Sequence, residues 1–143
     1  MSVAPVIEIY AEQSPYDVDL AKLQIGWEKT AALLAEIGVG EIAVLELIEI
    51  SLLGDPEMAQ VHGEFLADPT PTDVITFEHG ELLIGVEVAL RQAREYEHDL
   101  FREVALYGIH GMLHLSGFDD HQELDFERMR ERQEELLSVC FPA

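Results

Sequence analysis

Residues 100–115 constrain the fold more than any other segment of the sequence. Eight apolar side chains are spread around nearly all sides of the helix predicted there: Phe101, Val104, Ala105, Leu106, Ile109, Met112, Leu113 and Leu115. Asp99 is predicted to cap the N-terminus of this helix, and Gly117 is predicted to end it as a left-handed cap residue. A helix that is apolar all round belongs in a core. We therefore expect the other elements of the fold to pack around it.

The remaining segments predict a mixture of strands and helices. Hydrophobic periodicity and turn residues place strands at 6–10, 41–50, 74–77 and 81–86, and further helices at 19–37, from 55, at 86–96 and at 122–139. The order β, α, β, α, β, β and then three helices predicts an α+β (or α/β) fold. In this fold a mixed β-sheet packs with helices, and the helix at 100–115 is buried centrally. The length of 143 residues fits a single domain, residues 1–143.

Acidic residues dominate the charge of the chain. There are 29 Asp and Glu residues against 8 Lys and Arg, for a net charge of −21. This balance argues against a general affinity for nucleic acid or anionic membranes. A surface for an anionic substrate must draw on the C-terminal third, which holds six of the eight basic residues: Arg91, Arg94, Arg102, Arg128, Arg130 and Arg132. Pairing with neighbouring glutamates on helix surfaces would occupy most of them.

Cysteine content and hydropathy predict a soluble, cytoplasmic protein with no membrane association. Cys140 is the only cysteine, so it makes no intramolecular disulfide, which fits a reducing cytosol. No apolar run approaches the ~18 residues of a membrane span. Residues 1–6 contain no basic region of the kind that begins a secretory signal.

His110 and His114 are the residues that most clearly indicate chemistry. Their spacing of four places both imidazoles on one face of the predicted helix, and two such nitrogens can bind one zinc ion. After the turn at Gly117, three further side chains with ligand atoms follow, which are Asp119, Asp120 and His121. Three protein ligands would leave a fourth position for an activated water, as catalytic zinc requires.

Two segments resemble the YbeY-type endoribonuclease family of bacterial, metal-dependent enzymes. Residues 110–119, HGMLHLSGFD, are similar to the family's metal-binding signature, and residues 71–77, PTDVITF, are similar to a second family motif. The stretches 80–84 and 93–96 match the hairpin and helix that connect them. The resemblance implies a zinc-dependent, single-strand-type endoribonuclease acting in ribosomal RNA maturation and ribosome quality control. It also implies one Zn2+ per chain, an RNA substrate, and ribosomal or assembly proteins as partners.

The sequence departs from the family pattern at two places. The family's third ligand is usually a histidine six residues after the second, a position that Asp120 occupies here, with His121 one residue later. Asp120 keeps the register and His121 keeps the ligand chemistry, so both stay open. Many members also place an arginine where Leu66 follows Phe65. If that arginine holds phosphate, its role is vacant or moved in this chain.

Asp119 and Asp73 are the predicted catalytic residues. Whichever side chain of the turn after Gly117 does not bind metal is a candidate general base. Asp73 either borders the metal cleft or only braces the loop before its strand. The resemblance also places the helix at 86–96 along the cleft, where Arg91 or Arg94 would contact RNA.

Two alternative functions follow from the same residues. A zinc-stabilised, non-catalytic ribosome-assembly factor would have a closed site with four protein ligands. A zinc peptidase is disfavoured, because such enzymes carry a glutamate directly after the first histidine and this chain has Gly111 there.

Overall fold

Four strands and five helices form the described part of the chain, which in this computed structural model is residues 4–11, 18–118 and 122–142. The strands are β1 (Val6–Ala11), β2 (Leu47–Leu53), β3 (Val74–Phe77) and β4 (Glu81–Gly85). The helices are α1 (Leu20–Ile37), α2 (Asp55–Leu66), α3 (Val86–Glu95), α4 (Leu100–Leu115) and α5 (Glu123–Cys140). Over these segments, no helix has the length and apolar content needed to cross a membrane.

The strands form one mixed sheet, as the sequence predicted. Their order is β1-β2-β4-β3. Strand β2 is parallel to both β1 and β4, because α1 and the segment from α2 to β3 return the chain to the same end of the sheet. Strands β3 and β4 form the predicted antiparallel hairpin. Its turn needs Gly80, which has a φ of 102° and lies where a β-carbon would be 2.6 Å from the Leu47 carbonyl oxygen.

Helix α4 is the central element of the core, which confirms the prediction for residues 100–115. It packs against β3, β4, α1, α3 and α5. The Asp99 carboxylate caps it by accepting a hydrogen bond from the Arg102 amide at 2.7 Å, and Gly117 ends it with a φ of 95°. Two glycines let the neighbouring elements approach closely, since Gly108 lies against the Trp27 ring and Gly111 against Leu82.

The structure differs from the sequence prediction at residues 41–50. Glu41–Ala43 form a short 3-10 helix, and the strand begins only at Leu47. Ile42 is fully buried, and Gly40, with a φ of 79°, passes directly under the carbonyl of Leu115 at the end of α4. Packing against α1 and α4 therefore overrides the strand preference of these residues.

Candidate functional site

His110 and His114 lie one turn apart on α4 and face each other. Their ring centroids are 4.7 Å apart, and the rings are inclined by 80°. The Nε2 atoms of the two rings are 3.1 Å apart. Both side chains are half-buried. The spacing of four residues thus produces the paired imidazoles that the sequence indicated.

The opposite nitrogen of each ring contacts an oxygen atom. The Nδ1 atom of His114 lies 3.2 Å from the carbonyl oxygen of Phe118, and a carbonyl oxygen only accepts, so this nitrogen carries the proton. The Nδ1 atom of His110 contacts the side-chain oxygen of Gln133 on α5. The tautomer of His110 decides whether the two Nε2 atoms share a hydrogen bond or present two lone pairs to each other. Two lone pairs at this distance could bind a cation.

His110 lies in a cleft of about 810 Å³ that follows α4. Helices α3 and α5 both pack on α4 and form the two walls. The cleft residues of α4 recur at intervals of three or four, so they share one face of the helix, and they include Glu103, Tyr107 and His110. A larger hollow of about 1010 Å³ lies between the start of α1 and the end of α5. Among the described residues, it contains none of the predicted catalytic or metal-binding ones, so we assign the site to the cleft beside the histidines.

Asp73 also lines this cleft, together with Thr72. Its Oδ1 atom accepts hydrogen bonds from the Val74 amide at 2.7 Å and from the Thr72 hydroxyl at 3.3 Å. The backbone carbonyl of Asp73 accepts from the Gly85 amide at 2.8 Å. The residue therefore braces the start of β3 and also borders the cleft, and a catalytic role for it stays a prediction.

A buried acidic residue, Glu103, lies on the floor of the same cleft. It is 7% exposed, and this burial raises the pKa of its carboxyl, while the charges of His98 and Arg102 and a hydrogen bond from Tyr107 oppose the rise. Burial and the Glu103 charge raise the pKa of the Tyr107 hydroxyl. Neither Glu103 nor Tyr107 is among the site residues predicted from the sequence.

The arginines of the C-terminal third differ in their position relative to the cleft. Arg91 forms a two-pronged ion pair with Asp55 at the start of α2, at 2.7 and 3.2 Å. Helix α3 lines the cleft with Val88 and Gln92, and Tyr96 follows directly after the helix. Arg91 and Arg94 are not among these lining residues, although the Arg91 charge acts to lower the pKa of Tyr107 in the cleft. A contact of either arginine with RNA stays a prediction.

The cleft contains two other arginines. Arg102 is one of them, and it pairs across to Glu134 on α5 at 2.8 Å. Arg130, on the exposed side of α5, is the second. Leu66, the last residue of α2, is 59% exposed and is not among the cleft residues.

The remaining predicted site residues, Asp119, Asp120 and His121, lie outside the described residues. Within residues 4–11, 18–118 and 122–142, no group of three or more His, Cys, Asp and Glu side chains is arranged to hold a metal. The histidine pair offers two nitrogen atoms that could serve as ligands. At Gly111, a β-carbon would be 2.7 Å from a methyl of Leu82. A side chain after the first histidine, such as the glutamate of a zinc peptidase, would therefore require Leu82 to move.

Gln133, which contacts His110, is not among the residues predicted from the sequence. It lies in phase with the buried residues of α5, which are Met129, Leu136 and Cys140. A polar residue within the apolar stripe of a helix needs a hydrogen-bond partner. A glutamine within this row of apolar residues was the feature of the sequence from which a hydrogen-bond partner for Gln133 could have been predicted.

Taken together, the fold and the site define a class of protein: a mixed α/β domain with a histidine pair on its central helix, beside an open cleft that contains carboxylates. A sequence profile of the family described as Endoribonuclease YbeY matches residues 8–140. The chain belongs to this family.

Individual relatives agree with this assignment. Endoribonuclease YbeY of Carboxydothermus hydrogenoformans is 34% identical over 141 residues, covering 92% of this chain and 95% of the relative. The Chlamydia trachomatis protein of the same name is 30% identical over 148 residues, covering 94% and 88%. A solution structure of a Thermotoga maritima protein superposes with a TM-score of 0.63 at 24% identity and covers 93% of this chain and 90% of that one. This last likeness concerns the fold.

Proposed function

We propose that this chain is a zinc-dependent endoribonuclease that hydrolyses phosphodiester bonds in single-stranded RNA, and that ribosomal RNA is its substrate. Family membership supports the endoribonuclease activity. The observation that carries the metal requirement is the pair of facing Nε2 atoms, 3.1 Å apart, on His110 and His114.

The geometry of the histidine pair fits a zinc ion. Two nitrogen ligands at ordinary zinc distances and a tetrahedral angle are about 3.3 Å apart. Hydrogen bonds from Nδ1 to oxygen acceptors, as seen on both rings, are the usual arrangement around histidines that bind metal. Either Asp120 or His121 would supply the third ligand. When bound, the zinc would supply Lewis-acid activation of a water and of the phosphoryl oxygen.

Carboxylates of this chain would accept the proton that the attacking water loses. Asp73 is held in the cleft by the Val74 amide and the Thr72 hydroxyl, so it can accept a proton from a water bound there without first being reoriented. Asp119 is the second candidate for this role. Its place directly before the possible third ligands would keep it near the reacting phosphate.

Binding of RNA must overcome the charge of the protein. The net charge is −21, and the cleft contains Asp73, Glu103 and Glu134 beside its two arginines. Phosphate contacts would come mainly from Arg130, since Arg102 already pairs with Glu134. We therefore include in the proposal a ribosomal or assembly protein that presents the RNA.

His114→Ala is the test of the metal site. Elemental analysis of the purified wild-type protein should find about one zinc per chain, the content of a site with three protein ligands and a water, and the variant should retain little of it. His79→Ala is the control, because His79 is exposed and forms an ion pair with Glu81 away from the cleft. Full zinc content in His114→Ala would refute the assignment.

Cleavage of single-stranded RNA tests the activity. It should be lost with a chelator and restored by zinc in the wild-type protein. Zinc-loaded protein that cleaves no RNA would favour the non-catalytic assembly factor instead.

A further inference from the structure

The acceptor that orients His110 comes from a different helix, whereas the acceptor that orients His114 is local. His114 uses the Phe118 carbonyl, four residues further along the chain. His110 uses the side chain of Gln133, 23 residues away on α5. The two ligands therefore depend on different parts of the fold.

Gln133 occupies a position on α5 where an apolar residue would be expected. Met129, Leu136 and Cys140 of the same stripe are each at most 2% exposed. An amide among such residues is unfavourable for packing unless it is hydrogen-bonded, and its partner here is the His110 ring. The helix thus accommodates a polar group at the point where it faces the histidine pair.

We propose that Gln133 is a positioning residue for the metal site, and that it holds His110 in the tautomer and orientation that direct Nε2 toward the metal. This inference rests on the proposed zinc site. The amide oxygen accepts the Nδ1 proton, so the lone pair is confined to Nε2. Without this acceptor, the contact that selects the tautomer protonated at Nδ1 is lost.

The group that accepts the Nδ1 proton of His110 should influence the affinity of the site for zinc. Loss of such an outer hydrogen bond typically costs roughly 10–100-fold in metal affinity. A carboxylate at the same place makes the imidazole more basic. We therefore expect Gln133→Leu to weaken zinc binding by about 10–100-fold, and Gln133→Glu to bind zinc at least as tightly as the wild-type protein.

Gln133→Leu also separates positioning from stability. Leucine fits the apolar stripe, so the urea midpoint of the metal-free variant should be equal to or higher than that of the wild-type protein. If Gln133 acted only by holding α5 in place, weaker zinc binding would accompany lower stability. Glu131→Leu is the matched control, because Glu131 is on the exposed side of α5, and its zinc affinity should be unchanged.

The experiment combines zinc competition against a chromophoric chelator with nitrogen-15 NMR of the histidine rings in metal-free protein. We expect the wild-type His110 to show the form protonated at Nδ1, and Gln133→Leu to show a mixture of tautomers. Wild-type protein that binds zinc, with Gln133→Leu binding equally tightly, would overturn this inference alone. Wild-type protein that binds no zinc would overturn the proposed metal site and this inference with it.

Discussion

The indole ring of Trp27 occupies the space that a β-carbon on Gly108 would need. Trp27 is fully buried, and its Nε1 donates a hydrogen bond to the Ala105 carbonyl at 3.1 Å. An ideal β-carbon at Gly108 would be well inside van der Waals contact with three atoms of the ring. Helix α1 thereby fixes the position of α4, and with it the position of the histidine pair.

This contact predicts that Gly108→Ala destabilises the protein more than Gly111→Ala. Overpacking costs about 1–3 kcal/mol, and the better helix propensity of alanine returns about 1 kcal/mol. The rigid indole cannot move aside, so we expect a net loss of about 2 kcal/mol at Gly108. At Gly111 the nearest atoms are the terminal methyls of Leu82, which can rotate, so the net loss should be near zero. Urea unfolding measures both, and equal losses would contradict the prediction.

Glu103→Gln should stabilise the protein at neutral pH. Burial raises the pKa of Glu103 in the folded state, so the folded protein holds this proton more tightly than the unfolded chain does. The free energy of unfolding therefore falls as pH rises from about 4.3, the value of an unperturbed glutamate, through the raised folded pKa. Glu103→Gln has no carboxyl to ionise, so it does not lose this stability as pH rises. Its amide oxygen can still accept the hydrogen bond from the Tyr107 hydroxyl.

Urea midpoints between about pH 4 and pH 8 test the Glu103 prediction, since they span the window above the unperturbed value. The difference between variant and wild type isolates Glu103 from the groups that face it, which are His98, Arg102, Tyr107 and Glu134. A difference that does not grow in favour of the variant as pH rises would show that burial does not control this carboxyl.

The identity of the third metal ligand predicts a sharp contrast between Asp120→Ala and His121→Ala. Only one of the two side chains should bind the metal, so only one substitution should lower zinc affinity by more than the roughly 10–100-fold cost of an outer hydrogen bond. Chelator competition on each variant measures this. Two equal and small losses would direct attention to Asp119.

Arg130→Ala should weaken RNA binding more than Arg128→Ala. Arg130 lines the cleft, whereas Arg128 is exposed on α5 and is not among the cleft residues. Removing one phosphate contact lowers the slope of log affinity against log salt by about 1. The wild-type slope should itself be shallow, given the small number of arginines in the cleft. Identical slopes for the two variants would place phosphate binding elsewhere or on a partner protein.

Local signals made most of the fold predictable. Helix α4 could be predicted with its boundaries because Asp99, the apolar residues and Gly117 each act within a turn of the chain. The hairpin of β3 and β4 could be predicted for the same reason, because its strands and its turn are adjacent in the sequence. The 3-10 helix at Glu41–Ala43 was not predictable, since it depends on the contact between Gly40 and the carbonyl of Leu115, and nothing within residues 41–50 encodes that contact.

In the candidate site too, local features could be predicted from the sequence and long-range contacts could not. The facing imidazoles result from a spacing of four residues on one helix. The ion pair of Arg91 with Asp55 joins residues 36 positions apart, and the bond between His110 and Gln133 joins residues 23 apart. Pairs so distant in sequence become neighbours only when the helices pack, so the lining of the cleft could not be derived from spacing.

The placement of both histidines on one helix has a consequence for the order in which the site assembles. Closing a loop costs entropy that increases with its length, and His110 and His114, with three residues between them, are already joined by a single helical turn. The spacing of the two imidazoles is therefore set within α4, and it persists through local openings that release α5. In the proposed zinc site, such an opening would separate His110 from Gln133 while both histidines stayed on the same helical turn.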